Sequence, residues 1–423
     1  MTRAQWKTVI LASLGGSLEF YDFIIYGVFA QYIAAAFFPA TDRLVSLILV
    51  FSVFGVGYLA RPVGGIVLSH FGDKYGRRKV FIGSLLVISV STFCIGLLPS
   101  YAAWGVFAPM ALVALRLIQG FCLGGELPGA ITYAVEAAPQ HAGFTCSVVF
   151  CFANGGVILA TVTNLVIASW LTPPDMAAWG WRLGFFLGGV SGLISFRLQQ
   201  SLEESPEFAQ LKRHASRRPL GEVLADYRMP LIFAISTSAV VGCFNGLLIA
   251  HMPAYLTRVL HYDARSVSFA QNLCLGVECL GMIAAGWLSD RVPRRRILRL
   301  GALLLLTGAY PFYAVLGTGT ASLLTLFSFA GAAAAFANGT FASIMADLFP
   351  ARVRFSGVAL AFNISFTVFS GMAPLVATSL VKNTGWAGAP SLLMMACAAL
   401  SLAASVALPK FEGQAILRAA VSE

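Results

Sequence analysis

Hydrophobic residues form twelve long runs along the chain, and short polar segments separate each run from the next. A membrane-spanning helix needs about 20 mainly apolar residues, which most of these runs reach or exceed. The first run is too long for the apolar part of a cleavable signal peptide. We therefore predict twelve transmembrane helices, over residues 9–36, 45–69, 80–99, 104–134, 146–171, 183–199, 230–256, 267–288, 299–316, 320–346, 357–380 and 388–408.

The longest polar stretch, 200–228, divides the runs into six and six. The pattern predicts an all-α membrane protein of twelve transmembrane helices in two pseudo-symmetric six-helix halves. The predicted division is an N-terminal bundle, a cytoplasmic linker, a C-terminal bundle and a short cytoplasmic tail, at residues 1–199, 200–229, 230–408 and 409–423.

Two landmarks recur in both halves. Gly72–Arg78, after the second run, is matched by Ser289–Arg295 after the eighth, at an offset of 217 residues. Glu136–Pro139, after the fourth run, is matched by Asp347–Pro350 after the tenth, at an offset of 211. Two similar offsets indicate a parallel internal repeat, for which substrate is expected between the halves near the middle of the membrane.

Composition agrees with a lipid environment, because 58% of the residues are hydrophobic, 11% are charged and the mean hydropathy is +0.81. The net charge of +10 does not indicate nucleic-acid binding, because the basic residues lie in short loops between apolar runs. With the N-terminus placed inside, 21 Lys and Arg residues fall on the inner side and five on the outer side. Both termini are therefore expected to be cytoplasmic.

Several motifs resemble those of a known family. Asp73–Arg78 and Arg116–Gly120 are similar to the loop and fourth-helix signatures of the major facilitator superfamily. Further segments are similar to its metabolite:proton symporters, which include citrate, 2-oxoglutarate, shikimate and proline/betaine carriers: Glu19–Phe23, Arg61–Gly65, Gly124–Glu126, Trp179–Arg182, Glu204–Glu207 and Leu348–Arg354.

The resemblance implies alternating-access import of a small organic acid, a di- or tricarboxylate such as citrate or 2-oxoglutarate, across a bacterial inner membrane. Chain length and the short tail are most similar to the citrate and tricarballylate branch. The proton is the expected coupling ion, with no other cofactor, and the protein is expected to act as a monomer in the bilayer. The arginines within the spans also suit an anionic substrate.

Functions besides import of an acid fit the sequence to different degrees. Uptake of a zwitterion, a betaine or an amino acid, stays open because one carboxylate would still suit an arginine. A drug:proton antiporter of the same fold is disfavoured, because residues 154–160 lack the Gly-Pro pair usual in helix five. A channel would not need matched loops in two halves. No nucleotide-binding, metal-binding or hydrolase motif occurs, so neither an enzyme nor a metal site is expected.

A charged residue within a span indicates a specific role, because placing a charge in the lipid core costs free energy. Glu19, Asp22 and Tyr26 share one face of the first helix. Asp22 is the preferred proton carrier, with Arg116 as its expected counter-ion and with Glu19 and Glu126 as further coupling candidates. The alternative is a static buried ion pair that orients helices one and four.

Arg61 is the expected substrate anchor, because its guanidinium can hold a carboxylate through two hydrogen bonds. It lies twelve residues before Asp73, which is about 18 Å along a helix. Alternatively it pairs with Glu19 or Glu126. Further substrate-binding candidates are Tyr26, Arg182, Asn245, Gln271, Glu278, Asn338 and Asn363; Arg182 suits an interfacial anchor equally well.

The two repeated loops are expected to gate the inner side. Acidic and basic side chains there can hold the halves together in the outward-open state. The alternative is that their positive charge only sets topology. The gating candidates are Asp73, Arg77, Arg78, Asp290, Arg294 and Arg295.

Overall fold

The computed structural model describes residues 1–39, 43–201 and 219–408. Most of the predicted linker, the motif at 204–207 and the predicted tail therefore lie outside the described residues. Of the gating candidate Arg77 only the backbone is described.

Twelve long helical segments follow one another through the described chain. Two widen into π-helical turns, α7 at Gly246–His251 and α11 at Phe366–Gly371. The segments are α1 (Arg3–Val28), α2 (Arg43–Tyr75), α3 (Arg77–Leu97), α4 (Phe107–Ala137), α5 (Ala142–Trp170), α6 (Trp181–Gln199), α7 (Arg228–His251), α8 (Ala264–Ser289), α9 (Arg294–Thr318), α10 (Leu323–Asp347), α11 (Arg354–Thr384) and α12 (Pro390–Ala407).

Eleven helices of the described chain are long and apolar enough to cross a membrane. They overlap eleven of the twelve predicted spans, with boundaries that differ by up to eight residues, at the end of the first span. The remaining prediction, 183–199, corresponds to α6, which is 19 residues long but is not among the eleven. Its four glycines and its terminal arginines, Arg182 and Arg197, lower its hydropathy, while its packing against α3 matches that of a bundle helix.

Two helix boundaries follow directly from local chemistry. Gly76 alone separates α2 from α3, with φ of 115°, a conformation that side chains rarely adopt. Asp263 precedes α8 and accepts a hydrogen bond from the Ser266 backbone N–H at 2.8 Å. That bond, together with one from the Ser266 hydroxyl, lowers the pKa of Asp263.

Equivalent helices pack in equivalent ways in the two parts of the chain. The pairs α1–α5, α2–α4 and α3–α6 recur as α7–α11, α8–α10 and α9–α12. The two parts meet where α5 packs on α8 and where α2 packs on α11. The short helix Pro219–Asp226 contacts α2 and α11, so the described end of the linker also lies at this junction. We call the side of the molecule that carries residues 72–78 and 289–295 the motif face.

Small residues allow the closest helix contacts. A Cβ atom at Gly64 would lie 1.7 Å from the backbone oxygen of Phe121, and one at Gly124 would lie 2.2 Å from that of Arg61. Helices α2 and α4 therefore meet backbone to backbone, as expected for glycine pairs within membranes.

Gly64→Ala should destabilise the protein, because the new methyl group meets backbone rather than a movable side chain. Overpacking of this kind costs about 1–3 kcal/mol. Thermal unfolding of the detergent-purified protein would show a lower Tm. Gly83→Ala on α3 is the matched control, because its Cβ meets no atom within 4 Å. An equal Tm for both variants would contradict the tight α2–α4 contact.

Candidate functional site

Six ionisable side chains predicted to matter are buried within the spans. None is more than 5% exposed. They are Glu19, Asp22, Arg61, Arg116, Glu126 and Glu278. Each charge there costs at least about 2.5 kcal/mol unless it is paired or neutralised, so the contacts of each one are informative.

Glu19 and Arg61 form a direct ion pair between α1 and α2. Arg61 Nη2 donates to Glu19 Oε1 at 2.6 Å, and both side chains are almost completely buried. The guanidinium also lies 5.7 Å from the ring centroid of Tyr58. Of the two contacts expected for Arg61, a substrate carboxylate or an internal one, the structure contains the internal one.

Asp22 and Arg116 do not form the direct ion pair expected from the sequence. Instead, Asp22 accepts a hydrogen bond from the Thr92 hydroxyl, which accepts one from Gln119 at 2.7 Å. Gln119 in turn accepts a bond from Arg116 at 3.2 Å. Two polar side chains on α3 and α4 therefore stand between the carboxylate and the guanidinium.

The aromatic ring of Tyr26 contacts the guanidinium of Arg116. The Arg116 guanidinium carbon lies 3.6 Å from the centroid of the Tyr26 ring, within the range of a cation–π contact. The Tyr26 hydroxyl donates to the backbone oxygen of Val50 at 3.2 Å. The ring is thus held between α1 and α2 and keeps Arg116 beside the first helix.

Glu126 on α4 accepts a hydrogen bond from the Ser84 hydroxyl at 2.9 Å. Its other oxygen lies so close to α1 that a Cβ atom at Gly15 would be 1.9 Å from it. Glu126 makes no ion pair with Arg61 in the described part of the chain. It therefore occupies a position between α1, α3 and α4 apart from the Glu19–Arg61 pair.

The predicted polar residues after the linker fall into separate groups. Asn245 donates to Asn338 at 3.4 Å, so α7 and α10 bring these two together. Gln271 donates to the backbone of α7 at 2.9 Å. Asn363 donates to the backbone oxygen of Gly124 at 2.8 Å and thereby joins α11 to α4.

Arg182 lies away from this group of buried charges. It donates to the backbone oxygens of Gly96 and Leu98, at 2.8 and 2.6 Å, at the end of α3 opposite the motif face. Its guanidinium also lies 4.5 Å from the Trp181 ring. These contacts match the interfacial anchor that was the alternative for Arg182, and substrate contact at Arg182 stays a prediction.

At the motif face, acidic side chains cap helices across the junction. Asp73 at the end of α2 accepts the backbone N–H of Ser356 in the first turn of α11 at 2.8 Å. Asp290, after α8, accepts those of Gly143 and Phe144 in the first turn of α5 at 2.8 and 3.1 Å. A carboxylate at a helix N-terminus satisfies free N–H groups and is favoured by the helix dipole.

Ion pairs support these two caps. Arg294 contacts Asp347 and lies 3.5 Å from Asp290. Arg354 of α11 pairs with Glu136 of α4 at 3.1 Å. A further gating candidate, Arg78, donates to the Gln200 backbone oxygen at 2.7 Å.

Sequence reasoning missed several partners of the buried charges. Thr92, Ser84 and Gln119 carry ordinary polar groups within apolar runs, where such residues more often join helices. Gln119 lies in the fourth-helix motif, three residues after Arg116 and therefore on the same helix face. That spacing could have predicted the contact between them. Nothing in the sequence pointed to α3 as the source of the other two.

The model of the family described as Major Facilitator Superfamily matches residues 12–374. This chain belongs to the major facilitator superfamily. Among curated relatives, the proline/betaine transporter of Escherichia coli (strain K12) is 32% identical over 423 residues, covering 95% of this chain and 83% of that protein. The citrate-proton symporter of Klebsiella pneumoniae is 32% identical over 406 residues, covering 95% and 91%.

A solved structure of the superfamily's proton:xylose symporter, bound to 6-bromo-6-deoxy-D-glucose, shares the fold. It superposes with a TM-score of 0.79 at 18% identity and covers 96% of each chain. The protein is thus a multi-pass transporter of the inner membrane rather than an enzyme, as expected from the sequence.

Asp290→Ala should loosen the motif face of this superfamily member, because two N–H groups of α5 lose their acceptor. A lost cap costs about 1 kcal/mol, which corresponds to roughly a fivefold larger open population. Native Cys146, 1% exposed and on the first turns of α5, serves as reporter. N-ethylmaleimide labelling of Cys146, followed by peptide mass spectrometry, should accelerate accordingly.

Asp263→Ala provides the matched control, because it removes a helix cap that lies outside the junction. Its labelling rate at Cys146 should equal that of the wild type. Equal rates in the wild type and in Asp290→Ala would show that this carboxylate does not hold the motif face closed.

Proposed function

We propose that the chain is a proton-coupled symporter that takes up a small zwitterion, a betaine or an amino acid such as proline. Uptake proceeds by alternating access between the two halves, with the motif face in the cytoplasm. The orientation is supported by the distribution of basic residues in the sequence, with 21 predicted on the inner side and five on the outer side.

The balance of buried charge favours a zwitterion over a tricarboxylate. Away from the motif face, four carboxylates but only two arginines are buried within the described spans: Glu19, Asp22, Glu126, Glu278, Arg61 and Arg116. One arginine is already neutralised by Glu19 at 2.6 Å. The arginines in the spans therefore favour an anionic substrate less than the sequence alone indicates. A tricarboxylate adds negative charge to this surplus, whereas a zwitterion adds no net charge.

The relatives include proteins named for either substrate class. A proline/betaine transporter and a citrate-proton symporter are equally identical to this chain, at 32%. Neither name is that of a drug:proton antiporter, and one of the two relatives is named as a symporter. Import of an organic acid remains the second candidate function because of the citrate-proton symporter, while the charge balance places the zwitterion first.

The Glu19–Arg61 pair offers a physical basis for coupling. While Glu19 is ionised, it occupies the guanidinium that would bind a substrate carboxylate. Protonation of Glu19 removes the charge that holds Arg61 and frees the guanidinium for the substrate. Proton binding and carboxylate binding then favour each other, which is the linkage that symport requires.

Substrate class can be tested directly in proteoliposomes that contain the purified protein. We expect labelled glycine betaine or proline to accumulate when an inward proton gradient is imposed, and citrate to accumulate less. Protein-free liposomes and a proton ionophore serve as controls. Accumulation of citrate or 2-oxoglutarate without uptake of either zwitterion would replace the zwitterion by the organic acid.

Glu19→Gln should separate binding from coupling, because the amide resembles the protonated acid and leaves Arg61 free. We expect this variant to lose gradient-driven accumulation by more than about tenfold while retaining exchange of labelled for unlabelled substrate at equal pH. Asp22→Asn is tested in parallel, since Asp22 was the preferred proton carrier from the sequence.

Asp263→Asn is the control carboxylate-to-amide change, because Asp263 caps α8 outside the buried site. It should transport as the wild type does. If Glu19→Gln accumulates substrate normally and Asp22→Asn alone retains exchange without accumulation, the proton is carried by Asp22 and the proposed Glu19 switch is wrong.

A further inference from the structure

The internal repeat extends from the loops into the membrane core. The offset of 217 residues relates Gly57 of α2 to Cys274 of α8, and the offset of 211 relates Gly120 of α4 to Gly331 of α10. A Cβ at Gly120 would lie 2.1 Å from the Gly57 oxygen, and one at Gly331 would lie 2.5 Å from the Cys274 oxygen. Helix pairs α2–α4 and α8–α10 therefore cross at equivalent residues.

The same offset of 217 residues relates Arg61 of α2 to Glu278 of α8. Each lies twelve residues before the acidic residue that caps a helix of the opposite half, Asp73 or Asp290. At about 1.5 Å per residue, both side chains begin about 18 Å from the motif face. The repeat thus places a basic and an acidic residue at equivalent depths in the two halves.

Glu278 differs from the other buried carboxylates in having no partner. It is 1% exposed and makes no hydrogen bond or ion pair within the described residues, and its Oε2 is fully buried. The others each accept a side-chain hydrogen bond, in the pairs Glu19 with Arg61, Asp22 with Thr92, and Glu126 with Ser84. A buried carboxylate without donors requires either a proton or a cation.

We propose that Glu278 binds the cationic group of the substrate, an inference that rests on the proposed uptake of a zwitterion. A quaternary ammonium group has no N–H to donate and is recognised by charge, whereas the ammonium of an amino acid can also donate hydrogen bonds. An acidic side chain can bind either group through its negative charge. Charge on the C-terminal half therefore selects zwitterions over simple carboxylates.

The test compares glycine betaine with 3,3-dimethylbutanoate, which has the same shape and carboxylate but lacks the positive charge. Each compound competes with labelled glycine betaine for exchange in proteoliposomes at equal pH on both sides. The wild type should prefer glycine betaine, and Glu278→Gln should reduce that preference by at least about tenfold. The proton-gradient response should be retained wherever exchange is measurable.

Glu278→Asp keeps the charge on a shorter side chain and should retain the preference with weaker binding. This variant also provides a measurement if Glu278→Gln fails to fold, since loss of the preference in Glu278→Asp at an unchanged Tm would overturn the assignment. Asp263→Asn, at the start of the same helix, controls for loss of a carboxylate outside the membrane core and should behave as wild type.

The remaining outcomes separate this inference from the proposed function. A wild type that transports betaine, together with a Glu278→Gln variant that keeps the full preference, overturns the role of Glu278 alone. If Glu278→Gln keeps the preference for glycine betaine but no longer responds to the proton gradient, Glu278 carries the proton and does not bind the substrate. A wild type that takes up no zwitterion overturns the proposed function, and the cationic-group site with it.

Discussion

Glu19 and Arg61 neutralise each other at 2.6 Å between α1 and α2, in a region where neither could remain ionised alone at small cost. A buried pair of this kind does little for net stability, because desolvation of both groups offsets their attraction. Removal of either charge leaves the other without compensation, however, and that sensitivity suits a switch. In the proposed transport cycle, the pair links the protonation of Glu19 on α1 to the availability of the Arg61 guanidinium on α2. The cycle depends on this link.

The proposed alternating access also requires a closure that can be released, and we propose that the motif face supplies it. Asp73 and Asp290 each cap a helix of the other half, so the two contacts are reciprocal around the internal repeat. Each bond joins an aspartate carboxylate to the backbone at the start of a helix. Such caps contribute about 0.5–2 kcal/mol each, which is enough to bias two conformations and too little to prevent exchange between them.

The proposed choice of a zwitterion rests on how the remaining charges are partnered. Asp22 is connected to Arg116 through Gln119 and Thr92, and Glu126 is bonded to Ser84, so both carboxylates are held within the N-terminal half. Glu278, in the other half, has no such partner among the residues that the structure describes. This asymmetry distinguishes the two halves of a repeat whose backbone contacts are nearly equivalent, and it is the feature that favours a substrate with a positive group.

The sequence by itself determined the helical membrane class, the approximate positions of eleven spans and the superfamily, because hydropathy and loop motifs are local properties of the chain. It also identified the ionisable residues that are buried, since a charge within an apolar run of this length must lie inside the bundle or face lipid at a high cost. It could not decide which of them pair. Arg61 could have met a substrate or Glu19, and Arg116 is separated from Asp22 by two side chains that only the packing of α3 against α4 brings between them. Partner choice depends on helix rotation and on gaps of a few ångströms between helices distant in sequence, and only the tertiary structure determines those.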